Sequence, residues 1–394
     1  MASVQKRQLA RGGASWVVRY RDPNNRPRER WFPTAADARI FAKTVDADVV
    51  RGDYLNPTLG RTRFAYWADQ WFATTAGLKP KTRQGYESML RVHVVPHFGG
   101  WRISAVDTPA VRAFLAKMSD AGSAVGTQRA ARKVLRLVLG TAIEGNAIKH
   151  NPCDGVRLAR SQREEMVFLT LDEVHALATA MRRPEYGLLV RFVTLTGLRA
   201  GEVGALRVGR LDLLRGRVDV VEAVSEVTGH GLVYGPTKTY ERRSVPIPRA
   251  MCDELGAYLA TRPADPEAFI FTAPDGGPLR HHNFYARHFR PAVVAARLPE
   301  RMRFHDLRHT CAALLINAEP PAHPLAVMKR LGHSSITVTY DTYGHLFPAL
   351  EEALTDSLDR SYRQSRARAG ERDPRGSRVV EGSHGSPVVA LHPS

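Results

Sequence analysis

The stretch HDLRHT at residues 305–310 decides how the rest of this chain reads. It sets His305 and Arg308 three residues apart, and on a helix that spacing puts both side chains on one face. Three other segments carry related groups. TGLRAGE at 196–202 holds Arg199 and Glu202, and TKT at 237–239 holds Lys238. LGHSS at 331–335 holds His333 and leads to DTYGH at 341–345 with Tyr343. Cutting a phosphodiester without water or metal needs a side-chain oxygen that attacks and can later leave again. The pentacoordinate transition state loads charge onto two non-bridging oxygens, which planar guanidinium forks clamp well. The departing sugar oxygen takes a proton that a lysine of lowered pKa can give. The attacking phenol gives one up, and histidine accepts protons near neutral pH. All these groups are present, while the acids in these segments are few, chiefly Glu202, Asp306 and Asp341. That is not the carboxylate cluster a pair of catalytic cations needs. Each residue alone has an ordinary structural explanation: Arg199 as a salt-bridge partner, Lys238 in a polar turn, His333 as a helix cap, Tyr343 as a core tyrosine with a bonded hydroxyl. Their joint appearance is what carries weight.

Outward from these segments lies a mixed unit, 166–362. Thr170-Leu171-Asp172-Glu173 has the form of a capping box opening a helix. Residues 217–248 are strand-rich, and helices are expected on either side. From Pro348, Leu350, Leu354 and Leu358 mark an amphipathic helix that can dock on its own domain or on a neighbouring protomer. The tail, 363–394, is basic and poor in apolar residues, and disorder is expected there. Upstream, the charged connector 157–165 (RLARSQREE) separates a second unit, 63–157, which reads as all-helical. Its segments begin near Arg63, after Pro80, near Thr108-Pro109 and near Gly126. In the last helix, 127–144, Ala131, Val134, Leu135, Val138 and Ala142 share one face. Arg129, Arg132, Lys133 and Arg136 share the other, a basic stripe placed to meet phosphates. The first unit, 1–57, reads as strands at 16–21 and 28–32 around the turn Asp22-Pro23-Asn24-Asn25. A helix at 34–51 follows, with Ala36, Ile40, Phe41, Val45 and Val49 on one side. The fold class is therefore multidomain and mainly α with α+β parts. It comprises a small sheet-plus-helix N-terminal domain, a helical domain and a mixed α/β domain.

Composition agrees. Among 394 residues, 57 Lys+Arg face 39 Asp+Glu, a formal charge of +18, and nucleic acid is the commonest partner for such a surface. Cys153, Cys252 and Cys311 lie far apart without metal-ligand spacing, as reduced cytosolic thiols do. The first dozen residues lack an apolar core, so no signal peptide is expected, and no apolar run has the length of a membrane span.

On these motifs, the third unit resembles the catalytic domain of the tyrosine recombinases, the phage-integrase family. PKT at 80–82 through Tyr86 to PHFG at 96–99 resembles that family's core-site DNA-binding domain, and the first unit resembles an arm-site DNA-binding domain. The resemblance implies that Arg199 and Arg308 bind the scissile phosphate and that Lys238 protonates the leaving 5′ oxygen. It implies His305 as proton acceptor or hydrogen-bond partner, and His333 as a phosphate contact. Glu202 would orient its neighbours, and Tyr343 would form a 3′-phosphotyrosyl bond. Tyr340 is the competing nucleophile, but Tyr343 lies in the Thr-Tyr-x-His pattern with His345, and Tyr340 is expected to be a packing residue. The implied function is site-specific recombination that integrates a phage or other mobile element and, with a helper, excises it. Alternatives are an Xer-type resolvase of chromosome dimers, a type IB topoisomerase, whose signature these motifs match poorly, and an inactive DNA-binding regulator. Implied partners are double-stranded attachment sites, a homotetramer on DNA, a DNA-bending host protein and an excision factor. No cofactor, metal or membrane is implied, and the expected location is the cytoplasm.

Overall fold

A computed structural model describes residues 2–8, 14–23, 25–159, 165–237, 242–347 and the helix 350–370. In the N-terminal unit β1 (Ser3–Gln8), β2 (Ala14–Arg21) and β3 (Pro27–Phe32) form an antiparallel sheet in that order. Strand β1 is absent from the sequence reading. It is a polar edge strand in which only Val4 is half-buried, so it shows little hydrophobic alternation. The helix Ala35–Arg51 crosses the sheet. Thr34 caps it by accepting from Asp37 N, and Gly52 ends it at φ 76°. Its buried face is Ala38, Ala42 and Val45 with Phe41 and Val49 alongside. Ala36 and Ile40 point outward, contrary to expectation, with Ile40 66% exposed. The sheet supplies the bulk here: the rings of Tyr20 and Phe32 meet Phe41 at 5.8 and 5.1 Å, so small alanines occupy the line of closest approach.

The central unit is helical as predicted, with its principal helices at Phe64–Ala73, Pro80–Met89, Thr108–Asp120 and Val125–Glu144. Phe64, Trp67, Phe98, Phe114, Leu135 and Val138 are among its core residues. Asn56 N donates to Asn146 O at 2.8 Å, and Lys149 pairs with Asp53 at 3.1 Å, tying the N-terminal unit to this bundle.

The third unit opens with the helix Leu171–Thr179, carrying the expected Thr170/Glu173 capping box. The helix Pro184–Thr196 is buried along most of its length. Strands β4 (Leu211–Asp212) and β5 (Arg217–Val220) pair in one sheet, and β6 (Glu222–Val227) and β7 (Gly231–Pro236) form a separate hairpin. Strand β8 (Arg243–Pro246) returns to β5. Phe192, Val218, Val245, Phe271, Phe284 and Phe289 belong to the main core. Ala312, Ile316, Val327, Leu331 and Tyr343 form a smaller second cluster. The helix Leu350–Gly370 runs past residue 363, where the sequence suggested disorder. Its side chains from 355 to 368 are exposed, Leu358 at 70%. Residues 371–394 and the side chains of Leu350 and Leu354 lie outside the described residues. Among the described residues no helix is long and apolar enough to cross a membrane.

Candidate active site

Two helices end on left-handed glycines, and their last carbonyls build the site. Gly197 (φ 69°) closes Pro184–Thr196, and Gly332 (φ 65°) closes Pro324–Leu331. Both need glycine twice over: a Cβ at 197 would lie 2.6 Å from Leu331 Cδ2, and one at 332 would lie 3.0 Å from the Arg243 guanidinium. Arg308, on the helix Asp306–Ile316, donates to Gly197 O (2.7 Å) and Leu331 O (2.6 Å). Arg199 donates to Gly332 O at 2.9 Å. Helix C-termini carry partial negative charge, which holds guanidiniums in place. Burial, then the charge of Arg199, lowers the Arg308 pKa to about 10, so it stays protonated at neutral pH.

Behind the pair sits Glu202, 2% exposed. Its carboxylate accepts from Arg199 N (2.9 Å) and Arg199 Nη1 (3.0 Å), and from Arg243 Nη1 (2.9 Å) and Nη2 (2.7 Å). Burial by itself would raise its pKa. The hydrogen bonds and charge of Arg243, then Arg199, outweigh that and hold it below the usual carboxylate value. The carboxylate fixes the angle of Arg199 and takes up part of the local positive charge.

Tyr343 ends the helix Ile336–Tyr343 with its side chain 1% exposed. Burial pushes the phenol pKa up to about 12, with Arg308 opposing the rise. Its Oη lies 2.8 Å from His309 Nδ1. His333 lies nearly parallel to the tyrosine ring, centroids 6.2 Å apart and planes at 10°, and its Nδ1 meets Thr339 Oγ1 at 2.9 Å. Burial, followed by the charges of Arg308 and Arg199, lowers the His333 pKa to about 4. His305 stands as N-cap of Asp306–Ile316, 4.9 Å from the His309 ring. Its outer edge reaches solvent, while burial of the rest, then His309 and Arg308, lowers its pKa to about 4.

The arrangement thus brings together Arg199, Glu202, Arg308 and His333, with Tyr343 within electrostatic reach of both guanidiniums and His305 at the edge. Lys238 lies outside the described residues; the chain up to it is placed by Lys79 Nζ, which donates to Thr237 O at 2.9 Å. Tyr340, expected as a packing residue, is 45% exposed with its ring against Phe347. Two participants escaped the sequence reading. Arg243 is indistinguishable from its neighbour Arg242 until β8 is placed. His309 had a signal in its adjacency to Arg308. The basic stripe on Val125–Glu144 faces the segment that leaves the helix: Arg132 donates to Cys153 O (2.9 Å), Arg136 pairs with Asp154 (3.0 Å), and Arg129 reaches Ala159 O (3.4 Å). Lys133 lies over the Tyr86 ring. Arg129, Lys133 and Arg136 remain exposed, and Arg132 is half-buried. Among the described residues no three His, Cys, Asp or Glu side chains gather as metal ligands do.

A buried Arg308 and a half-buried Arg199 thus stand beside a sequestered phenol, the set of groups that phosphoryl transfer through a tyrosine requires. Residues 167–349 match the phage integrase family and residues 64–159 the phage integrase central domain. The chain belongs to that family, the tyrosine recombinases, and is a site-specific DNA recombinase. It is 27% identical over 295 residues to the ICEBs1 integrase of Bacillus subtilis, spanning 71% of this chain and 78% of the relative. It is 28% identical over 358 residues to a putative prophage phiRv2 integrase of Mycobacterium tuberculosis, 85% and 92% of the two chains. Its fold is similar to that of the Tn1549 transposon integrase in complex with transposon right end DNA (TM-score 0.66, 21% identity, 76% of this chain and 99% of that one). It also resembles lambda integrase in a tetramer bound to a Holliday junction (TM-score 0.53, 20% identity, 84% and 96%).

Proposed function

We propose that Tyr343 attacks the scissile phosphate of a duplex attachment site and conserves the bond energy as a 3′-phosphotyrosyl ester, which the 5′ hydroxyl of a second strand reverses. Arg199 and Arg308 clamp the non-bridging oxygens, with His333 alongside. Each guanidinium spends two of its five N–H donors on the contacts that fix it and keeps the others for phosphate. Glu202 orients Arg199, His305 lines the mouth, and Lys238 protonates the leaving 5′ oxygen. Arg129, Lys133 and Arg136 contact the DNA backbone, while Arg132 holds its own domain together. The element integrated is a phage or other mobile DNA, by a homotetramer acting on two duplexes in the cytoplasm, with a bending protein and an excision factor setting direction. The domains of this reading are 1–57 on arm sites, 63–157 on the core site and 166–362 as the catalytic unit. The observation that carries it is the placement of Arg308 between the Gly197 and Leu331 carbonyls with the Tyr343 phenol in its field. A Tyr343→Phe chain should bind its DNA site and form no denaturant-stable adduct. Normal adduct formation by that variant would move the nucleophile elsewhere, with Tyr340 next in line. Cleavage of a suicide duplex should survive EDTA; loss restored by Mg²⁺ would overturn the metal-free scheme.

A further inference from the structure

We propose that His309 is the catalytic residue that takes the proton of Tyr343 as the phenol attacks; this rests on Tyr343 being the nucleophile. The geometry is direct. His309 Nδ1 lies 2.8 Å from the reacting oxygen, a distance at which a proton transfers without rearrangement. Among the described residues His305, the histidine implied for this role by family resemblance, makes no hydrogen bond to that oxygen, and its ring stands at 88° to that of His309. Consecutive residues on a helix point about 100° apart. Arg308 therefore reaches the Gly197 and Leu331 carbonyls while His309 reaches Tyr343. One helix sets phosphate clamp and proton acceptor in fixed register. Thr310, next in the chain, anchors that helix by accepting from Leu169 N (3.2 Å) and donating to Asp306 O (2.9 Å).

The imidazole is suited to accept. Burial lowers its pKa; Asp306 opposes this, and Arg303 and Arg308 reinforce it, so the ring is neutral at pH 7. The other titratable groups around it are His305 at the head of its own helix, Tyr343 from Ile336–Tyr343, and His333 from the turn after Pro324–Leu331. In the step, the proton on Oη passes to Nδ1, the Oη–P bond forms, and the P–O5′ bond breaks as the 5′ oxygen takes a proton from a separate acid. Religation runs the same path backwards: the 5′ hydroxyl attacks, and the departing phenolate recovers its proton from His309.

The test is single-turnover cleavage of a suicide duplex by the full chain, with His309→Asn. The Asn amide accepts a hydrogen bond where Nδ1 stood but cannot take a proton. Cleavage should fall about 10²-fold near pH 7 with duplex affinity unchanged. The deficit should shrink as pH rises toward the phenol pKa, and 3-fluorotyrosine at position 343, a more acidic phenol, should recover much of it. Wild-type rates in His309→Asn overturn the proposal, and so does a deficit that is constant with pH and unmoved by fluorotyrosine. If the Asn variant fails to fold, the wild-type chain carrying a series of fluorotyrosines at 343 decides. A shallow dependence of rate on phenol pKa supports an acceptor already in place; a tenfold gain per unit of pKa overturns it. An adduct mapped to a residue other than Tyr343 in the wild-type chain would defeat the nucleophile assignment instead, a separate outcome.

Discussion

Arg243 illustrates how much of this site rests on a residue that need not touch the substrate. Its side chain and that of Glu202 are 11% and 2% exposed, and the guanidinium delivers both terminal nitrogens to the carboxylate. Breaking a buried ion pair costs about 3–5 kcal/mol where the remaining charge is left alone; here Arg199 still holds Glu202, so the loss is smaller than that. Arg243→Ala should therefore lower the urea midpoint of the catalytic unit and also slow adduct formation, because Arg199 loses its fixed partner. Arg243→Lys should recover only part of this, since an ammonium cannot reproduce the fork. Acid should act in two windows. His309 and His333 have pKa values lowered by folding, so their neutral forms stabilise the chain above the unfolded value of about 6.5. That contribution is lost as pH falls from there through the lowered folded values, about 4 for His333. Glu202, also lowered, gives a second loss below about 4.3. Unfolding midpoints measured from pH 8 to 3 should show both breaks, and Glu202→Gln should remove only the lower one. That Arg199, Arg308 and Tyr343 would be drawn together was legible in the sequence, because the motifs isolate residue types that suit one phosphate. Arg243 and His309 were not, because their roles are set by which way a strand and a helix face once packed.

At the scale of elements, the two glycine-ended helices do what no single motif announces: they turn three carbonyls onto two guanidiniums. Gly332→Ala should be the more instructive break. A side chain at φ 65° costs about 1–2 kcal/mol in backbone strain, and its Cβ would press on the Arg243 guanidinium at 3.0 Å. The Gly332 carbonyl that Arg199 uses would shift with it. Adduct formation should therefore fall more than stability does, read as cleavage rate against unfolding midpoint in the same preparation. The helices themselves were readable: the capping box at Thr170, the proline starts at 80 and 109, and the apolar stripe on Val125–Glu144 are local signals. What failed was local sequence without local instruction. Strand β1 is SVQKRQ, and its ladder to β2 is decided by its partner rather than by its own pattern. The face of Ala35–Arg51 was misjudged because the bulk of that core comes from the sheet's aromatic rings and the helix contributes alanines.

Across the whole molecule, a formal charge of +18 has two jobs that experiment can separate. The first is general attraction to the duplex. Binding should weaken steeply with salt as phosphate-held counterions are released, and neutralising exposed Arg129, Lys133 and Arg136 together should flatten the slope of log K against log salt by about 2–3. A slope unchanged by that triple variant would remove these side chains from the DNA interface. The second job belongs to the N-terminal unit. Where to cut it off follows from its contacts: Asn56 caps the short helix Pro57–Gly60 and donates to Asn146 O, and Asp53 pairs with Lys149. A chain starting at Asp53 keeps these ties to the helical bundle and discards the sheet and its covering helix, whose core of Val18, Tyr20, Ala38, Ala42 and Val45 is largely separate from the bundle. If that unit serves arm sites, the shortened chain should cleave a core-site suicide duplex at close to the full rate, yet fail to join two attachment sites, since that reaction needs a second DNA segment held at the same time. Equal loss of both activities would instead make the unit a structural support of the helical bundle.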